Sequence, residues 1–189
     1  IYRICPENKI VVIPLGFDLE RFNTNKESKR IEFRKKWNLK ENEIAIGIIG
    51  RLVPIKNHMF FIDAIQKVLK KSEFPIRAFI VGDGEEKQNI INYIKSKNLD
   101  FSLDHTPATF NLTSWVKEID RVNSGMDIIC LTSLNEGTPV SLIEAQASGK
   151  PIVSTKTGGI ENIVLENKTA LLSEKNDLHN FSKNLLSLV

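Results

Sequence analysis

The feature that most restricts this chain is a repeated order: a short apolar, β-branched run, then a longer segment with apolar residues at helical spacing. EIAIGIIG (43–50) precedes MFFIDAIQKVLKK (59–71), PIRAFIVG (75–82) precedes EEKQNIINYIKSK (85–97), and MDIICLT (126–132) precedes PVSLIEAQAS (139–148). Weaker repeats are ATFNLTSW (108–115) with VKEIDRVNS (116–124), PIVST (151–155) with the short GIENIV (159–164), and TALLS (169–173) with DLHNFSKNLLSL (177–188). An opening strand is expected at KIVVIP (9–14) and a helix at ESKRIEFRKKWN (27–38), while NLDFSLDHTP (98–107) is the least regular stretch. Strands that are nearly continuously apolar are covered on both faces. Alternating strand and helix units wind into a parallel sheet with right-handed crossovers.

The fold expected is therefore α/β: one Rossmann-like, doubly wound parallel sheet forming a single domain over 1–189. A chain of 189 residues buries roughly 70% of its unfolded surface, enough for a core without covalent staples. The 26 basic against 23 acidic residues leave a net charge of +3, too small a surplus to indicate a duplex-DNA binder, so no nucleic-acid partner is expected. No apolar run approaches the ~18 residues a membrane span needs, and IYRICPENK has no signal-peptide h-region. Cys5 and Cys130 lie far apart, with Cys130 inside the apolar run DIICL, so a reducing cytoplasm is the expected compartment. The chain opens on Ile1 rather than Met and ends within a helical pattern at Val189, as expected of a piece of a longer protein.

In such sheets ligands bind beyond the carboxyl ends of the strands, where strand order reverses. The residues that follow the strands are Gly50, Arg51 and Lys56; Gly82, Asp83 and Gly84; Ser114, Trp115, Val116 and Lys117; and Asn135, Glu136 and Gly137. Thr138 is expected to cap the next helix, with Pro139 at its first position and Gly149 as its stop. Free amides at that helix start, fed by the turn at Gly137, would attract an anion. Arg51 and Lys56 suit phosphate oxygens, Arg as a planar fork and Lys as a compact charge. Glu136 and Glu144 would repel phosphate but accept paired hydroxyls, such as those of a ribose or another sugar. The ligand expected from this chemistry is a nucleoside diphosphate carrying a sugar.

Other features have plainer readings. Gly82-Asp83-Gly84 is equally a tight turn, and Lys87 stands where a dinucleotide fingerprint has its third glycine. Trp115 is also read as a packing residue. His58, His105 and His179 lack metal-ligand spacing, so no metal is expected. The charge run at 26–40 reads as a solvated helix face, or as a basic surface for peripheral contact with an anionic bilayer through Arg34, Lys35 and Lys36.

The segments VIPLGFDLERF (12–22), GRLVPIK (50–56), VGDGE (81–85) and SLNEGTPVSLIEAQASGKPIVSTKTGG (133–159) resemble, in order, the carboxyl-terminal half of retaining family-four, group 1 type glycosyltransferases of the GT-B fold. That resemblance implies a donor-binding domain whose substrate is a UDP- or GDP-linked sugar and which needs no cofactor. It also implies that residues 1–9 end a linker from an amino-terminal acceptor domain, without which the piece is inactive. By position, Arg51 and Lys56 resemble the pyrophosphate clamp, Glu136 the carboxylate on donor-sugar hydroxyls, and Glu144 the one holding the ribose. Gly137, Thr138 and Val140 would offer backbone amides, and Ser114–Lys117 would receive the base. The sequence departs from the family where Ser114 and Asn57 replace glycines and where Asn162 stands at a frequent glutamate. The implied reaction is glycosyl transfer with retention to a polysaccharide or lipid-linked acceptor. A two-domain sugar-nucleotide epimerase and a non-catalytic dinucleotide-binding domain are the alternatives.

Overall fold

The structure, a computed structural model, describes residues 5–11, 13 and 15–189. After a 3-10 turn at Glu7–Lys9, the chain forms α1 (Glu20–Asn23), α2 (Lys26–Lys36), β1 (Ile44–Ile49), α3 (His58–Leu69), β2 (Ile76–Val81), α4 (Lys87–Ser96), β3 (Phe101–Ser102) and β4 (Phe110–Leu112). It continues through α5 (Ile119–Gly125), β5 (Ile128–Leu131), α6 (Val140–Ala147), β6 (Ile152–Thr155), β7 (Ala170–Ser173) and α7 (Leu178–Leu186). The seven strands pair in the order β3-β4-β2-β1-β5-β6-β7, every pair parallel. From β1 the chain first winds towards β4 and then restarts on the other side at β5. The sheet therefore opens a crevice beyond the carboxyl ends of β1 and β5.

The period of two along each strand divides the core between the faces. Ile46, Ile48, Ala78 and Ile80 meet Phe61, Ile62, Ile65 and Val68 of α3, Ile90 and Ile94 of α4, and Phe181 and Leu185 of α7. Ala45, Ile49, Phe79 and Val81 meet Phe33 and Trp37 at α2, Val122 of α5, and Leu142 and Ala145 of α6. Phe61, Phe79 and Phe181 are fully buried, each contributing about 1.5–3 kcal/mol over an exposed side chain. Phe79 meets Phe33 and Trp37 edge-on, with centroids 5.4 and 5.3 Å away. No helix among the described residues is long and apolar enough to cross a membrane.

Three expectations need correction. Over 9–14, Lys9 ends the 3-10 turn, and Ile10, Val11 and Ile13 lie in no strand among the described residues and are exposed; Val12 and Pro14 lie outside the described residues. A β-branched run makes a strand only where a neighbouring strand accepts its amides. Within 98–107 there is a strand, β3, registered as Phe101 opposite Phe110 and Ser102 opposite Asn111. The charge run of α2 is not a uniformly solvated face. Lys29 pairs with Asp120 at 2.9 Å, Arg30 with Asp127 at 2.7 Å, and Arg34, itself buried, with Asp127 at 3.3 Å. Lys35 and Lys36 remain exposed.

Candidate active site

The loop after β1 is shaped by backbone rather than side chains. Gly50 N–H donates to Val81 O at 2.9 Å, Leu52 N–H to Asp83 O at 2.9 Å, and Glu86 N–H to Leu52 O at 2.9 Å. This apposition needs Gly82, whose φ is +138° and where a Cβ would stand 1.9 Å from Gly50 O. Gly84 bears on Leu52 in the same way. The following 3-10 turn, Pro54–Lys56, ends at Asn57 in the left-handed region (φ +52°), which asparagine tolerates better than most residues. That accounts for asparagine standing at a position where the resemblance has glycine. The Thr132 hydroxyl, just past β5, donates to Lys56 O at 2.9 Å and fixes the turn.

The loop after β5 is fastened from below. The Thr155 hydroxyl donates to Ser133 O and the Thr157 hydroxyl to Leu134 O, each at 2.9 Å. Gly158 (φ +53°) lies so close that a Cβ would stand 1.8 Å from Glu136 O. The Glu136 side chain is held by the Ser133 hydroxyl at 2.6 Å and the Lys56 ammonium at 2.5 Å, both on Oε1. Pro139, not Thr138, occupies the position before α6, and no side chain caps that helix. The helix thus starts one residue later than expected, at Val140. Contrary to expectation, the Val140 amide is not free for a ligand: it donates to Thr138 O at 3.0 Å, and the Leu142 amide to Pro139 O at 3.0 Å. Gly149, with φ +71°, follows the helix as expected.

These loops enclose a cavity of about 460 Å³ lined by Gly50, Arg51, Lys56, Gly82, Trp115, Val116, Glu136, Thr138, Val140 and Glu144, together with Ile49, Val81, Ile119 and Ser141. Arg51 is exposed and has no ion pair among the described residues. Glu144 is half-buried. Burial raises its carboxyl pKa, against the lowering field of Arg21, and Asp120 adds to the rise. Gly84, Ser114, Lys117, Gly137 and Pro139 do not line this cavity.

Trp115 is 66% exposed, so the packing reading fails. With Val116 it separates the cavity from a second one of about 330 Å³, whose wall includes Trp37, His105, Lys117 and Arg121. Ser114 holds a left-handed conformation (φ +59°) at the second position where the resemblance has glycine. Its hydroxyl bonds Asp83 instead of facing the cavity. That bond, then Lys87 and the Gly84 amide, holds the Asp83 carboxyl at about 2. Asp83 is an anchor joining the β2 and β4 loops. Ser133, Thr132, Thr155 and Thr157 escaped sequence reasoning, because small hydroxyl residues at strand ends carry no distinctive spacing. Among the described residues no three His, Cys, Asp or Glu side chains gather as a metal site.

Comparison with known proteins agrees with this geometry. Residues 29–189 match the family described as glycosyl transferases group 1. The chain is 33% identical over 175 residues to a UDP-Gal:alpha-D-GlcNAc-diphosphoundecaprenol alpha-1,3-galactosyltransferase of Escherichia coli, covering 92% of this chain and 43% of that protein. It thus spans less than half the length of that relative. It superposes on HepE of Anabaena in complex with UDP and glucose with a TM-score of 0.73 at 22% identity, covering 92% of this chain and 44% of that one. The C-terminal domain of a glycosyl transferase group 1 family protein from Francisella tularensis gives 0.73 at 22% identity, covering 92% of this chain and 87% of that one. The strand order, the cavity at the reversal point and the match across most of the chain lead to one conclusion: this chain belongs to the group 1 glycosyltransferases, with their Rossmann-like GT-B fold.

Proposed function

We propose that the chain is the donor-binding part of a retaining glycosyltransferase that moves a sugar from a UDP- or GDP-linked donor to a polysaccharide or lipid-linked acceptor. The observation that carries this reading is the convergence of Arg51, Lys56, Glu136 and Glu144 on one cavity at the point of strand reversal. Arg51 and Lys56 take the diphosphate, beside the positive end of the α6 dipole. Glu144 takes the ribose hydroxyls and Glu136 those of the transferred sugar. Trp115 and Val116 bound the base, with Trp115 free to stack on it, and Ser114 supports that loop through Asp83.

As the glycosidic bond to phosphate breaks, negative charge grows on the bridging oxygen. The cations of Arg51 and Lys56, drawn onto the diphosphate, stabilise that charge where it develops, and the protein's own groups meet it without a metal. Glu136 is tied through Oε1 to Ser133 and Lys56, an arrangement for accepting hydroxyls rather than for attacking carbon. A front-face departure of diphosphate with retention is the step we assign. The acceptor site belongs to an amino-terminal domain of the same polypeptide, and without it this part does not transfer. We place the enzyme in the cytoplasm, in peripheral contact with the membrane that carries its acceptor.

Calorimetry with UDP, GDP and ADP on the wild type and Arg51→Ala tests the donor site. One nucleotide is expected to bind with an affinity that falls about tenfold or more on Arg51→Ala. Equal heats from both proteins remove the clamp. In the full-length enzyme, nucleoside diphosphate released only when acceptor is present separates transfer from epimerisation.

A further inference from the structure

Glu136 Oε1 accepts two donors, the Lys56 ammonium at 2.5 Å and the Ser133 hydroxyl at 2.6 Å, while Oε2 has no hydrogen bond among the described residues. The ion pair is shielded, its side chains 21% and 10% exposed. The two donors differ in freedom. Ser133 is fully buried, and its carbonyl is locked by the Thr155 hydroxyl, so it cannot follow Glu136 elsewhere. Lys56 carries its charge on a flexible stem. A phosphate entering the cavity must draw Lys56 away from Glu136. The departing ammonium leaves a shielded carboxylate held only by a neutral hydroxyl.

We propose that Ser133 is a positioning residue that keeps Glu136 in place when Lys56 leaves it for a phosphate, so that the Lys56–Glu136 pair opposes a bare nucleoside diphosphate and yields to one bearing a sugar. Sugar hydroxyls compensate the carboxylate that Lys56 abandons; a bare diphosphate offers it nothing. Once the sugar has been transferred, Glu136 draws Lys56 back and the spent nucleotide is expelled. This rests on the donor-site reading above, which places the diphosphate at Lys56.

The test is calorimetry with UDP on the wild type, Glu136→Gln, Lys56→Ala and the double variant. Glu136→Gln is expected to bind UDP about fivefold more tightly, because Lys56 no longer has a competing partner. That gain is expected to vanish when the same substitution is made in the Lys56→Ala background. Unchanged or weaker UDP binding by Glu136→Gln overturns the proposal. So does an equal gain in the Lys56→Ala background, which would be a general charge effect.

Ser133→Ala removes the hydroxyl but keeps the carbonyl that anchors Thr155. It is expected to leave UDP affinity within about twofold while abolishing the extra affinity of whichever of UDP-glucose, UDP-galactose or UDP-N-acetylglucosamine exceeds UDP in the wild type. Equal losses for UDP and the nucleotide sugar, or a wild type in which none of the three exceeds UDP, overturn it. Absence of any UDP binding by the wild type removes UDP as donor and this proposal with it. UDP binding without the Glu136→Gln gain sinks the proposal alone.

Discussion

Burial of His58 ties the stability of the fold to pH. It opens α3 two residues beyond Lys56, is 2% exposed, and its Nε2 has no hydrogen-bond partner among the described residues. Burial, with the nearby Lys56 charge, lowers its pKa from 6.5 to about 4. The unfolded chain takes up a proton near pH 6.5 that the folded chain refuses until about pH 4. Stability is therefore complete above 6.5 and drains away as pH falls towards 4. The full difference of about 2.5 units corresponds to about 3 kcal/mol, and at pH 5 about 2 kcal/mol is already gone. Urea unfolding of the wild type and His58→Leu at pH 7 and pH 5 isolates this contribution, because every other titrating group is common to both proteins. Between those pH values the wild type is expected to lose about 2 kcal/mol more than His58→Leu. Parallel losses in the two proteins would mean that burial does not hold His58 neutral.

Three further substitutions probe the scaffold and the site. Trp115→Ala, at an exposed position, is expected to shift unfolding by less than about 0.5 kcal/mol yet to weaken nucleotide binding about tenfold by calorimetry, through loss of base stacking. Gly158→Ala puts a Cβ against Glu136 O at a left-handed position, and urea unfolding should show a loss of about 2–4 kcal/mol. Asp127→Ala strips Arg30, buried Arg34 and the Ala45 amide of their common acceptor, and the same assay should register a loss of about 2 kcal/mol.

The parts of the fold readable from sequence were those in which local pattern and tertiary role coincide. β1, β2 and β5 are apolar on both faces because helices cover both, and the spacing of α3, α4 and α7 reports the face they bury. Where pattern and pairing part company, sequence misleads. Ile10, Val11 and Ile13 have strand composition and no strand partner among the described residues, whereas β3 has only two residues and exists because Phe101 and Ser102 align with β4. α1 was missed because its four residues carry too little period; it is marked by burial of Phe22.

At the site, residue types and their order pointed to the cavity, but the links across it did not show. Lys56 and Glu136 are 80 positions apart, and Arg34 and Asp127 are 93 apart, distances over which spacing carries no information. Ser114 and Asn57 looked like departures from a glycine pattern. Both prove to hold the left-handed backbone that the glycines of that pattern would supply.

A structure of this chain bound to UDP decides where the diphosphate is held. The diphosphate is expected in the cavity bounded by Arg51, Lys56 and the start of α6, with the ribose at Glu144, the base beside Trp115 and Val116, and the Lys56–Glu136 contact opened. UDP seated instead in the lysine-lined cavity of about 390 Å³ between α3 and α7, at Lys67, Lys71 and Lys183, with Arg51 and Lys56 untouched, would remove the donor site from the point of strand reversal.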